Sequence, residues 1–282
     1  EWSFFPLNKA IQKSSMLSEE FQKYLSNFDT GCSTPFNQDF TAIHHNREYF
    51  HKDGIIINGN SGDFTTGGHM PDFFTNANQL SKEGLLQYIF KKHYTLWNSG
   101  SDQIKNKIFS AITKEISRIE KNSKKNNFEI YELFEFFNRQ VKYVVNGQRI
   151  YDHFDIDWEL PFWDDEHLKF WFSVPIHFKA KQALYKEFLL EENYGGVWKN
   201  FKNVSYKNSF KSIIFKLLLN TLTLIFFIND RETKIKLNRK FVEPLINSYG
   251  QYFNYPYFKI FFSKNYPRNI ISWTTYQYLK NK

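Results

Sequence analysis

Apolar residues recur along this chain with two different periods. Gly54-Ile55-Ile56-Ile57 is an unbroken β-branched run closed by Asn58, the pattern of a buried strand in a parallel sheet. Further on, Ile104, Ile108, Ile112, Ile116 and Ile119 recur every three or four residues, as one face of a helix does. Ile130, Leu133, Phe134, Phe137 and Val141 predict a second helical stripe. Ahead of the strand, Phe21, Leu25 and Phe28 predict a helix over residues 17–27, and Phe40, Ile43 and Tyr49 predict another. The turn-rich segment DTGCSTP at residues 29–35 separates these two. The pattern therefore predicts α/β structure passing into mostly α.

Residues 213–228 (IIFKLLLNTLTLIFFI) form the most apolar stretch, interrupted by Lys216 and Asn220. A membrane span needs ~20 residues, so this segment reads as a buried core helix and no integral membrane span is expected. A hydrophobic content of 41% with 20% aromatic residues excludes a disordered chain. Lys and Arg number 37 against 29 Asp and Glu, a net charge of +8 that favours an anionic partner. The densest basic run, KNSKK at residues 121–125, reads as a solvated loop, so no nucleic-acid partner is expected. The single Cys32 excludes an internal disulfide and a cysteine-based zinc site, which fits a reducing, cytoplasmic setting. No charged-then-apolar leader follows Glu1, so no signal peptide is expected.

Candidate chemistry gathers behind the isoleucine strand, in Asn58-Gly59-Asn60-Ser61-Gly62-Asp63-Phe64-Thr65-Thr66-Gly67-Gly68-His69. A glycine-rich turn at the carboxyl end of a parallel strand can offer backbone N–H groups to an anion. Gly59, Gly62, Gly67 and Gly68 would let the main chain approach it, Ser61 adds a hydroxyl, and the Asp63 carboxylate suits Mg²⁺ held against phosphate oxygens. No Gly-Lys-Ser/Thr follows, so this is not a Walker loop. His44, His45, His51 and His69 lack a His-Glu-x-x-His spacing and read as surface or helix-capping residues. The acidic run Asp164-Asp165-Glu166 suits the first turn of a helix, and Trp158, Trp163 and Trp171 read as core.

The strand followed by GNSGDFTTGGH resembles the second signature of the asparagine synthetase family, G-E-G-x-D-E-x-x-G-G-Y, with Gly59, Asp63, Gly67 and Gly68 matching. Residues 155–164 (DIDWELPFWD), followed by Phe170 and Val174-Pro175, are similar to that family's E-x-R-x-P-F-L-D block. Arg139 and Lys142 in NRQVK fall at its D-R-x-x-M stretch, and Asp29 to Ser33 resembles its Asp-x-x-x-Ser run. The forms SGDF and LPFWD look most like the asparagine-synthase-related proteins of bacterial surface-polysaccharide gene clusters.

This resemblance implies part of an adenine-nucleotide alpha-hydrolase-like (PP-loop) parallel sheet with an attached helical region. Residues 1–80 would be the remaining α/β ATP-pyrophosphatase core, and residues 81–282 the helical continuation of the same synthetase domain. It implies ATP and Mg²⁺ as cofactors. The acceptor would be a carboxylate-bearing small molecule or nucleotide sugar, with a separate glutaminase or ammonia source. The turn from Gly59 to Gly68, with Ser61, Gly62 and Asp63, would hold metal and pyrophosphate. Asp29 and Ser33 would frame the substrate, and Arg139, Lys142 and Lys181 would supply catalytic positive charge, Lys179 being the other lysine near the family's catalytic one. The family's S-G-G-x-D-S loop, whose place would be ahead of Glu1, and its glutaminase domain do not occur here. Asn60 and Phe64 stand where the family has acids, which points away from true asparagine synthesis. A degenerate, non-catalytic scaffold is the alternative reading.

Overall fold

Short helices dominate the computed structural model, which describes residues 9–27, 37–50, 53–75, 80–95, 101–122 and 126–199, with scattered positions between 213 and 237. The chain divides into two compact units. One comprises residues 1–47, 92–106 and 205–282, and the other residues 48–91 and 107–204.

The first unit holds helices α1 (Lys9–Met16), α2 (Glu19–Asn27) and α3 (Asn37–His45). Ser18 starts α2 by accepting a hydrogen bond from the Phe21 amide through its Oγ (3.2 Å), and Glu19 and Glu20 place negative charge in the first turn. Phe21 and Tyr24 pack on Phe40 of α3, with ring centroids 4.9 and 5.6 Å apart. The helix expected to carry Tyr49 ends at His45, and Tyr49 lies exposed in a separate 3₁₀ turn, Arg47–Tyr49. The described positions of the apolar stretch, Ile213, Ile214, Leu217, Leu218 and Leu224, are helical but exposed, which overturns the expectation of a buried core helix at those positions. No helix among the described residues is long and apolar enough to cross a membrane.

The second unit contains β1 (Ile55–Ile57), α4 (Gly62–Thr65), α5 (Lys82–His93, up to Lys91) and most of α6 (Asp102–Asn122). It continues with α7 (Asn127–Glu135), α8 (Arg149–His153), β2 (Asp157–Glu159), α9 (Asp165–Ser173), α10 (Ile176–Lys179) and α11 (Ala183–Glu192). β1 and β2 form a two-stranded parallel sheet with Ile55 opposite Asp157 and Ile57 opposite Glu159. The strand expected from the isoleucine run is present and its pairing is parallel, but it is not buried. Ile55 and Ile57 share an exposed face with Asp157 and Glu159, and only Ile56 and Trp158 are partly shielded.

The α6 stripe is realised through Ile112, Ile116 and Ile119, which are buried, whereas Ile104 is exposed. The second stripe fails halfway. Asn126 caps α7 by accepting the Glu129 amide (3.1 Å), and Ile130 and Phe134 are buried as expected. From Phe136 to Val145 the helix continues with π geometry. Bonding from i to i+5 adds residues to each turn, so burial passes to Gln140 and Val144 and leaves Phe137 and Val141 exposed.

Candidate active site around His69

The turn after β1 is built by its own backbone. Asn58 donates its side-chain amide to Gln148 Oε1 and the Tyr151 hydroxyl, both at 2.9 Å, and its Oδ1 accepts the Asn60 amide (3.0 Å). The backbone amides of Gly62, Phe64, Thr65, Thr66, Gly67 and Gly68 all donate to carbonyls within residues 59–64. Those six amides, expected to face an anion, are therefore occupied inside the turn. The glycines answer to packing. A Cβ on Gly62 would meet the Phe162 ring at 2.9 Å, and one on Gly67 would meet the Lys179 carbonyl oxygen at 2.3 Å with φ at +93°. A Cβ on Gly68 would lie 2.7 Å from the Asp63 carbonyl oxygen. Ser61 is buried, and its hydroxyl makes no hydrogen bond among the described residues.

The turn delivers Asp63 to its mouth, where two-thirds of the side chain is exposed. Its Oδ1 accepts the Phe64 amide (2.8 Å) and its Oδ2 lies 3.0 Å from His69 Nε2. The other ring nitrogen of His69, Nδ1, sits 2.5 Å from Glu135 Oε1 on α7. Glu135 is completely buried, and its second oxygen accepts a hydrogen bond from the Tyr131 hydroxyl at 2.5 Å. Tyr131, Glu135, His69 and Asp63 thus form one hydrogen-bonded chain running from the core to solvent. Arg139 Nη1 stands 3.5 Å from His69 Nδ1 and 3.9 Å from Glu135 Oε1.

Gln140, fully buried, brings Nε2 to 3.3 Å from the same ring nitrogen, and its Oε1 has no hydrogen-bond partner among the described residues. Turned over, that amide would offer its oxygen to the His69 N–H. Glu135 and Gln140 are five residues apart. An α-helix would point them to different sides, and the π segment brings both to one imidazole.

The electrostatics follow from the geometry. Burial opposes the charged form of His69, but its hydrogen bonds to Asp63 and Glu135 outweigh that and raise its pKa above the ordinary histidine value. The hydrogen bond from His69 holds the Asp63 carboxyl below the usual carboxylate range against the cost of desolvation. Desolvation and the Glu135 charge push the Tyr131 hydroxyl far up. The cluster sets the Asp63 and Glu135 carboxyl groups around His69, with the Arg139 guanidinium beside them. Asp63, ionised and exposed, suits the single-carboxylate contact that Mg²⁺ makes when it arrives on substrate phosphates. Among the described residues no group of three or more His, Cys, Asp or Glu could hold a metal ion by itself.

Of the basic candidates, Arg139 alone reaches this cluster. Lys142 donates to Asn138 Oδ1 (2.7 Å), and its charge acts on Glu115 of α6. Lys181 is exposed, with φ at +56°, and its amine lies 3.5 Å from Asp72 Oδ2. Lys179 is completely buried against Glu132. Asp29 and Ser33 lie outside the described residues. Sequence reading missed Tyr131, Glu135 and Gln140 and weighed His69 only as a surface or helix-capping residue. At α-helical spacing all three fall off the apolar stripe of residues 130–141, so the pattern carried no signal for their burial. No protein-family model, curated protein or solved structure matches the chain.

Proposed function

We propose that this chain carries part of an ATP-dependent, asparagine-synthase-like amide ligase. ATP would adenylate a substrate carboxylate and release pyrophosphate. Ammonia would then attack the acyl carbon and displace AMP, leaving an amide. The observation that carries this reading is the parallel strand β1 running into a glycine turn that presents an ionised Asp63 beside Arg139. Open α/β sheets bind ligands at the carboxyl ends of their strands, and β1–β2 would be part of a PP-loop-type parallel sheet. Asp63 would meet the Mg²⁺ carried by ATP, which neutralises phosphate charge when bound. Arg139, part-exposed with its nearest carboxylate at 3.9 Å, would bear on the leaving group. The acceptor we favour is a sugar acid of surface-polysaccharide assembly, modified in the cytoplasm.

A second reading, a non-catalytic scaffold, is favoured by the six turn amides spent on internal hydrogen bonds. Pyrophosphate exchange separates the two. The full-length protein should move labelled pyrophosphate into ATP only when its carboxylate acceptor is present. Exchange without an acceptor would count against adenylation. Silence across uronic acids, nucleotide sugars and aspartate would favour the scaffold.

A further inference from the structure

We infer that His69 is a positioning residue: bonded through Nε2 to Asp63 and through Nδ1 to Glu135, it fixes the carboxylate at the turn's mouth to the buried frame of α7. The functional part of this inference rests on the ligase reading; the linkage itself does not. Asp63 is the only member of the chain of hydrogen bonds that is mostly exposed, and a carboxylate in water turns freely about two side-chain bonds. Its Oδ1 bond to the neighbouring Phe64 amide is local and ties it only to its own turn. The bond from His69 ties it to a different element.

Glu135 can serve as the anchor because its surroundings enclose it. Its side chain is wholly buried, one oxygen takes the Tyr131 hydroxyl, and the helix around it packs through Ile130 and Phe134. The two ring nitrogens of histidine point in opposite directions, so one ring can bond to two carboxyl groups that approach from either side. The groups facing it complete the support: Gln140 and Arg139 come from the π segment, and the Phe64 ring lies edge-on at 5.9 Å. Orientation of this kind matters to rate, since displacement of a reacting group by about 1 Å can cost roughly a hundredfold.

Two arms test the inference, one of them independent of any activity. In protein carrying labelled histidine and aspartate, His69 should give a strongly downfield Nδ1–H resonance. That signal should vanish in Glu135→Gln and persist in Asp63→Asn. The Asp63 carboxyl carbon resonance should shift in both His69→Gln and Glu135→Gln. An Asp63 resonance that stays in place in folded His69→Gln overturns the inference, whatever the protein's activity.

In the kinetic arm, His69→Ala should lower kcat for acceptor-dependent pyrophosphate exchange by roughly tenfold to a hundredfold. The KM for ATP should stay within a factor of about two, because positioning acts on the reacting geometry and not on ground-state binding. Added imidazole should restore part of the loss. An unchanged kcat, or a loss that imidazole does not relieve in a folded variant, overturns the inference. Absence of exchange in the wild-type protein would instead defeat the ligase reading and leave the resonance arm to decide.

Discussion

Lys179 Nζ lies 2.5 Å from Glu132 Oε1, and neither side chain has meaningful contact with water. The ammonium also rests over the Phe172 ring at 5.4 Å. A buried pair of this kind is costly to break from one side, because the surviving charge has no water to turn to. Lys179→Met should therefore destabilise the second unit by roughly 3–5 kcal/mol, read by urea denaturation. Lys179→Met combined with Glu132→Leu should recover most of that loss. A double variant as unstable as the single one would show that the pair is not the source.

Gly67→Ala should be among the most damaging single-methyl additions in the chain. Its backbone sits at φ +93° and the new Cβ would overlap the Lys179 carbonyl. The left-handed conformation costs roughly 1–3 kcal/mol for a side-chain residue, and the overlap adds roughly as much again. Gly195→Ala is the control, with φ at +64° and nothing within 4 Å of the added methyl. Thermal melts should show a clearly larger drop for Gly67→Ala; equal drops would mean that the Lys179 backbone yields freely.

Asp63→Asn should abolish acceptor-dependent exchange while barely moving the melting temperature. The amide oxygen can still accept from Phe64, and the side chain is mostly exposed, so the stability change should stay within about 1 kcal/mol. A large fall in melting temperature would mark Asp63 as a structural residue.

His167 should titrate below the ordinary histidine value. Burial against Phe162 and Trp171 disfavours its charged form, and the nearby Asp164 only partly offsets this. A histidine with a lowered folded pKa contributes stability that is fully present above its unfolded pKa of about 6.5. That contribution is lost as the pH falls from there through the folded value. His167→Phe should flatten this acid-side loss. Proton NMR of the ring C–H would check it, and a His167 midpoint at or above the free-histidine value would refute it.

Legibility from sequence followed how local each cause was. The β1 run needed only three β-branched neighbours, and the Asp164 cap of α9, accepting the Glu166 and His167 amides, was visible as an acidic run. β2 reads Asp-Trp-Glu and carries no strand pattern of its own; it is a strand because β1 pairs with it. The exposure of Ile55 and Ile57 was not readable from the run itself, since a three-residue apolar stretch looks the same under one cover or two. Asp63 and Arg139 were singled out from the turn and from a family resemblance, and the structure sets both near His69. Glu135 escaped because its partner His69 is 66 positions away and because it falls off the apolar stripe, where a carboxylate reads as solvent-facing. Lys142 and Lys181 were grouped with Arg139 by the family resemblance, whereas their side chains point to Asn138 and Asp72.

The widened helix from Phe136 to Val145 makes the count of residues between Glu135 and Gln140 part of the design. Deleting one residue there would let the segment relax into ordinary α geometry, with Gln140 then four residues from Glu135 and still on its face. Ordinary α geometry at the present length would instead turn Gln140 well away from Glu135 and off the imidazole. Length and helix type must therefore agree for one imidazole to meet both side chains.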